Sequence, residues 1–473
     1  MEETLTDAAI RAQFGGAGDF VARDLDCGGH RVHAYMIDGL VSSADISDYI
    51  FKPMSSMPSA AMDALYREAL SGTIYNSVAD DCPDLQTVAS KLVNGFCVVL
   101  FPGAGAVAFE VKTGEKRGIA PPTVENTVKG PKDAFTETVR TNTSLLRRHL
   151  RTPDLRLYQT TVGRRSLTNV TVAWIDGITN PELVVRLKNR LSDIDIDGFL
   201  SPSAVEEYVT GSRRTPFPLL QYTERADKFA QGLLSGRVGL LVDGLPSGYL
   251  LPVDVGYLMT SPEDLGKDFI SASAFRVLRY GAMVLSLLLP AFYIALATFH
   301  QQMIPLPLLR AIIESKEKVP FSTAAEVLGL LLVFELLQEA GLHLPQSIGQ
   351  SVSIIGGIVV GTAAVEASLI SPAALIVVSL AGICGFALPN RDLAEAVRVC
   401  RFVLTLMGAF AGLFGVTVGI ILLLIHLSGL ESLELPYLAP YSQMEDPEIL
   451  RPRLIREKFR PSALKPRDRR NQR

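Results

Sequence analysis

Apolar and polar positions are sharply segregated along this chain. Most of the charge sits before Arg279 or after Arg451, and long apolar runs fill the interval. Four stretches there are long enough to cross a bilayer, whose hydrocarbon core takes roughly 20 apolar residues and at least about 17. Residues 282–299 carry no charge and hold Pro290 near the middle. Residues 351–370 are apolar apart from Glu366, residues 372–388 are uncharged, and residues 403–427 hold only His426 near their end. One such run could be the core helix of a soluble protein, but four close together predict an integral membrane protein. A fifth run, 323–338, contains Glu326 and Glu335, with Glu339 just beyond. It reads as interfacial, re-entrant or spanning. Glu335 and Glu339 are four apart and share a helical face, which makes them candidates for gating or coupling.

The first part of the chain alternates helical and strand patterns, so an α/β head precedes the all-α transmembrane bundle, placed at 276–430. Three apolar runs end in Asp-Gly, at residues 34–39, 172–177 and 240–244. Each reads as a buried strand leaving into a turn, because Asp bonds nearby backbone and Gly accepts a positive φ. Residues 95–111 read as a hairpin around Pro102-Gly103-Ala104-Gly105. Helices are expected at 134–150 and 182–191, and Thr223-Glu224 with Asp227 as the start of another. The acidic first 25 residues have no apolar leader pattern, which favours a flexible segment and a head that stays cytosolic. The tail, 431–473, is basic and is also placed in the cytosol by the positive-inside tendency. With both ends inside the span count is even. Four spans satisfy this but leave Arg391, Arg398 and Arg401 outside, partly offset by Asp392 and Glu395.

Composition narrows the chemistry. A formal net charge of −4 argues against a nucleic-acid partner. The five cysteines are scattered and read as reduced structural thiols. His30 and His33 have no evident third ligand, so neither a metal nor a cofactor is expected. Gly103-Ala104-Gly105 lacks the strand–loop–helix setting of a nucleotide site and reads as a turn. No catalytic constellation is recognisable, and the three Asp-Gly aspartates are explained by turns.

Residues 351–370 carry the most specific pattern. Ser353, Gly357, Gly361, Ala364 and Ser368 form a stripe of small side chains that would let helices approach closely. Thr362 and Glu366 lie on a different face. Either this helix lines an ion path, or Glu366 sits hydrated at the membrane boundary of a close-packed helix.

Several segments resemble the GerA family of spore germination proteins, specifically the A subunit of nutrient germinant receptors. They are residues 128–150 (VKGPKDAFTETVRTNTSLLRRHL), 223–246 (TERADKFAQGLLSGRVGLLVDGLP), 299–305 (FHQQMIP), 334–345 (FELLQEAGLHLP), 356–372 (GGIVVGTAAVEASLISP) and 436–440 (PYLAP). The resemblance implies a multi-pass protein of the endospore inner membrane. It implies assembly with a transporter-like, nutrient-binding B subunit and a lipoprotein C subunit. It further implies a homo-oligomer forming a germinant-gated ion channel and two α/β subdomains in the head, taken as 26–150 and 151–275; from the residue pattern of 351–370, Thr362 and Glu366 are the candidates for the ion path. A non-conducting membrane scaffold is the alternative. His343, where the family commonly has a basic residue, and the arginine-rich tail depart from the pattern.

Overall fold

The computed structural model describes residues 5–71, 74, 78–112, 122, 125, 130–211, 215–343, 359–433 and 435–439. The chain divides into an α/β unit, within residues 1–212 and 220–252, and a helical unit, within 213–219 and 253–466.

The α/β unit is built from two sheets. In the first, β1 (Phe20–Cys27), β2 (His30–Ile37), β3 (Ala79–Cys82), β4 (Phe96–Phe101) and β5 (Gly105–Glu110) are ordered β1-β2-β4-β5-β3 with every pair antiparallel. The expected hairpin is β4–β5, with Phe101 opposite Gly105. Both faces of this sheet are covered. Val99, Phe101, Val107 and Phe109 enter one core, and Val98, Leu100, Ala106 and Ala108 enter another. That is why Phe96–Phe101 is apolar throughout rather than alternating.

The N-terminal segment belongs to this subdomain, contrary to the expectation of flexibility. α1 (Asp7–Gln13) is capped by Thr6 and buries Ile10, and Phe14 beyond it is also buried. Two large apolar residues four apart anchor the helix to the sheet, a burial signal that the acidic composition obscured.

The second sheet repeats the first. Its strands are β6 (Leu155–Val162), β7 (Thr168–Ile175), β8 (Gln221–Thr223), β9 (Val238–Val242) and β10 (Gly248–Leu251), ordered β6-β7-β9-β10-β8 and again antiparallel. Relabelled from its own first strand, this is the order of the first sheet. Local geometry repeats too. After β2 the amide of Asp38 donates to the carbonyl of Asp19 at 2.8 Å, and after β7 the amide of Asp176 donates to that of Asp154 at 2.9 Å. The shared Ile-Asp-Gly at these two strand ends was the visible trace of this repeat.

α2 (Val139–His149) precedes the second sheet; α3 (Pro181–Ser192), α4 (Pro202–Thr210) and α5 (Ala226–Leu234) complete it. α2 starts five residues later than expected, because Ala134 pairs in an isolated bridge with Arg225 and Phe135 donates to Glu224. α5 likewise starts after Arg225 with no side-chain cap, since Thr223 is the last residue of β8. The third Asp-Gly turn has a distant employment: the Asp243 carboxylate accepts the Val139 amide at 2.9 Å and satisfies the first turn of α2. Between the subdomains, Arg147 on α2 makes a two-pronged pair with Asp19, at 2.8 and 2.9 Å, with both side chains buried.

The helical unit holds α6 (Phe269–Thr298), α7 (Leu306–Lys316), α8 (Thr323–His343), α9 (Pro372–Phe386) and α10 (Arg391–Ser428). By length and apolarity α6, and α10 counted end to end, could cross a membrane, and α9 is a shorter apolar helix. Residues 351–358 lie outside the described residues.

The expected single span at 403–427 is replaced by a hairpin. Within α10, Gly412 has φ 60°, ψ −142°, a conformation outside any helix. A Cβ placed on Gly419 would lie 2.4 Å from the Leu404 side chain, and one on Gly415 would lie 2.1 Å from the Met407 carbonyl. In a straight helix residues 404 and 419 would be about 22 Å apart along the axis. The chain therefore reverses at Gly412, and two antiparallel arms pack with glycines in the seam. Near the start of the first arm Leu393, Ala396 and Val397 share a core with Leu423 and Leu427 of the second.

Contacts along α6 set the directions. Tyr280 and Met283 share the core of Leu393 and Leu427, whereas Phe299 lies against Gly412. α6 runs from the end at which the chain enters the bundle to the far end. α8 and α9 run back, with Val327, Leu330, Ala374 and Val378 packed on Ile294, and Leu388 in the entry-end core.

Candidate functional site

Among the described residues, charged side chains inside the helical unit form three clusters, each joining separate elements. A buried charge is tolerated only when paired and hydrogen-bonded.

At the entry end Asp264 is 1% exposed. It receives Arg279 at 2.7 and 2.9 Å and Arg276 at 3.2 Å, both from the first turns of α6. Burial pushes the Asp264 carboxyl up, but the hydrogen bonds and charge of Arg279, with Arg276 behind, hold it below the ordinary carboxylate value.

Further along, Glu335 of α8 faces the first arm of α10. One carboxylate oxygen accepts from Arg401 at 2.9 Å and the other from Arg398 at 3.1 Å. Arg401 is 2% exposed and also donates to the Ala381 carbonyl of α9 at 3.3 Å. Arg398 reaches Gln338 as well. One guanidinium thus binds α8, α9 and α10 together. The planar fork of Arg suits this, since several donors can be satisfied from one buried position.

Toward the far end Glu326 is buried on α8. It accepts from the backbone amide of Ser371 at 3.0 Å and its hydroxyl at 2.7 Å. Ser371 is in turn the N-cap of α9, accepting from Ala374. Lys316, the last residue of α7, lies 3.0 Å from Glu326 and donates to Thr323 at 2.6 Å. The carboxylate sits where a helix N-terminus favours negative charge.

Comparison with known proteins gives a family. The family model described as Bacillus/Clostridium GerA spore germination protein matches residues 8–467. The chain belongs to the GerA family. It is 33% identical to Spore germination protein KA of Bacillus subtilis, across 92% of this chain and 80% of that one. It is 30% identical to Spore germination protein GerLA of Bacillus cereus, across 97% and 95%. It is also 35% identical to Uncharacterized membrane protein YfkQ of Bacillus subtilis, across 95% and 87%. The crystal structure of the N-terminal domain of the A subunit of the Bacillus megaterium spore germinant receptor GerK3 aligns with 53% of this chain and 96% of its own, at 27% identity and TM-score 0.42.

In this GerA protein the residues singled out from sequence fall into three groups. Glu335 is paired as described, and Glu339 is exposed one turn on. Thr362 and Glu366 are both exposed. They lie on a π-helical turn, Val359–Ala363, and the short helix Ala364–Glu366 that continues it. Of the small-residue stripe, Ser353 and Gly357 lie outside the described residues. Gly361, Ala364 and Ser368 do not form one helical stripe: the wider π turn shifts the face, the helix ends at Glu366, and Ser368 turns to φ 55°. Close helix approach occurs elsewhere, at Gly382 against Phe334 and at Gly408 against the Ala291 carbonyl. Arg398 and Arg401, awkward in a four-span scheme, prove to be the partners of Glu335. An acid on one apolar run and two arginines on another were the available signal.

Among the described residues no group of three or more His, Cys, Asp or Glu side chains is placed to hold a metal ion.

Proposed function

We propose that this chain is the A subunit of a spore nutrient germinant receptor, and that its helical unit is a multi-pass domain of the spore inner membrane that gates ion release. The observation that carries the reading is the GerA-family match over residues 8–467, a range that takes in both the α/β unit and the bundle with its paired internal charges. Those clusters support a gate of discrete states. Each joins separate elements through a buried charge, so parting one pair without its partners is costly and favours concerted rearrangement. With α10 reversed, Arg276, Arg279, Arg391, Arg398 and Arg401 gather toward the entry end. The positive-inside tendency then favours a cytosolic position for that end.

Self-association would bring the exposed Thr362 and Glu366 of several copies together, supporting an ion path between protomers. The B and C subunits would supply nutrient binding and anchorage, and differential affinity of the ligand for the two states would drive opening. Potassium release from spores lacking this gene, challenged with amino acids, sugars and nucleosides, tests the receptor role. Loss for one nutrient class is expected; normal release for every class would remove it. Glu366→Ala spores that still release ions normally would remove Glu366 from the path.

A further inference from the structure

We propose that α7 is a membrane-surface helix, lying in the headgroup–acyl boundary at the far end of the bundle. This rests on the reading of the bundle as membrane-embedded. The helix has 11 residues and none of them is buried. A helix this short is marginal in water unless an apolar face is covered. At 100° per residue, Leu308, Ile312, Leu309, Ile313 and Leu306 share one face, an arc interrupted at its centre by Lys316, which pairs with Glu326, and Arg310 and Glu314 lie on the other face. The bundle takes only the middle of that arc. Leu309 and Ile312 are half-buried, whereas Leu306, Leu308 and Ile313 at its edges are 58%, 55% and 54% exposed.

The surroundings identify what covers the edges. α7 joins α6 to α8 at the far end, and Lys316 fixes it there through Glu326 and Thr323. In the chain the helix is preceded by Phe299 and Met303, 46% and 62% exposed, and Phe299 lies against Gly412 at the hairpin apex, where Phe410 and Phe414 are 79% and 74% exposed. Exposed apolar side chains thus gather at this end of the candidate membrane helices, and Arg310 is exposed on the arc turned away, suited to lipid phosphate. Lipid, which takes apolar flanks and a cationic outer face together, is the occupant that fits.

The test uses the full chain reconstituted into phosphatidylcholine–phosphatidylglycerol vesicles, in a Trp174→Phe background that removes the one natural tryptophan. Single reporters are placed by Ile313→Trp, Glu314→Trp and Val284→Trp, the last on an exposed flank of α6. Lipid brominated near the headgroup should quench the Ile313→Trp reporter at least twofold more than the Glu314→Trp reporter, and aqueous acrylamide should do the reverse. Lipid brominated deep in the chain should quench the Val284→Trp reporter. If acrylamide quenches the Ile313→Trp and Glu314→Trp reporters alike, the helix lies in water and the proposal falls. If neither quencher reaches Ile313→Trp, protein covers the arc and the proposal also falls. An unquenched Val284→Trp reporter would overturn the membrane reading itself.

Discussion

The paired buried charges Asp19, Asp264, Glu326 and Arg401 are costly to disturb, and each has a named partner. Removing one partner of a buried pair strands the other, typically at about 3–5 kcal/mol. Asp19→Ala is therefore expected to destabilise the α/β unit by about that amount, measured by denaturant unfolding. Glu335→Gln, which leaves Arg401 without its carboxylate, should lower the unfolding temperature in detergent far more than Glu339→Gln on the exposed next turn.

Asp264 gives a pH signature. Its folded pKa is depressed, so the stability it contributes is present above the ordinary carboxylate pKa and lost as pH falls through the lower folded value. Unfolding temperature should fall below about pH 4, and Asp264→Asn should reduce that dependence. The thiols run the other way: burial pushes Cys27 up to about 11 and Cys82 and Cys97 up to about 12. All three should resist alkylation at pH 8 in the native protein and react in denaturant.

At the scale of elements the sequence showed existence better than course. Asp-Gly turns, the β4–β5 hairpin and most helices were legible because period and turn chemistry are local. The reversal in α10 was not, because one glycine among several in an apolar run carries no local mark of a positive φ. Only the packing of Leu404 on Gly419 required it. An oxidised Leu404→Cys/Gly419→Cys pair should form a bridge within one chain, visible as a mobility shift lost on reduction. A straight helix would keep these positions apart. The end of the helical segment at Glu366 was equally hidden, since a π turn leaves no consecutive-residue pattern.

At the scale of the whole molecule two consequences follow from arrangement. The two sheets share one strand order, so the α/β unit is an internal duplication whose halves are held by the Arg147–Asp19 pair. The hairpin makes Arg391, Arg398 and Arg401 neighbours of the chain's entry into the bundle, so in the proposed membrane arrangement one side would account for them with Arg276 and Arg279. Single cysteines at Glu395 and at Ala411, an exposed position beside the apex, should then label from opposite faces of oriented vesicles; equal labelling from one face would contradict the hairpin's orientation across the bilayer.

Sequence alone determined the apolar, helical character of the later part, the α/β pattern of the preceding part and the family resemblance, because hydropathy, turn chemistry and long motifs are written in consecutive residues. Tertiary structure decided which charges meet, where the longest apolar helix reverses and that the two sheets repeat each other. Those depend on residues far apart in the chain: Glu335 finds Arg401, and Asp19 finds Arg147, only once the helices and sheets between them have packed.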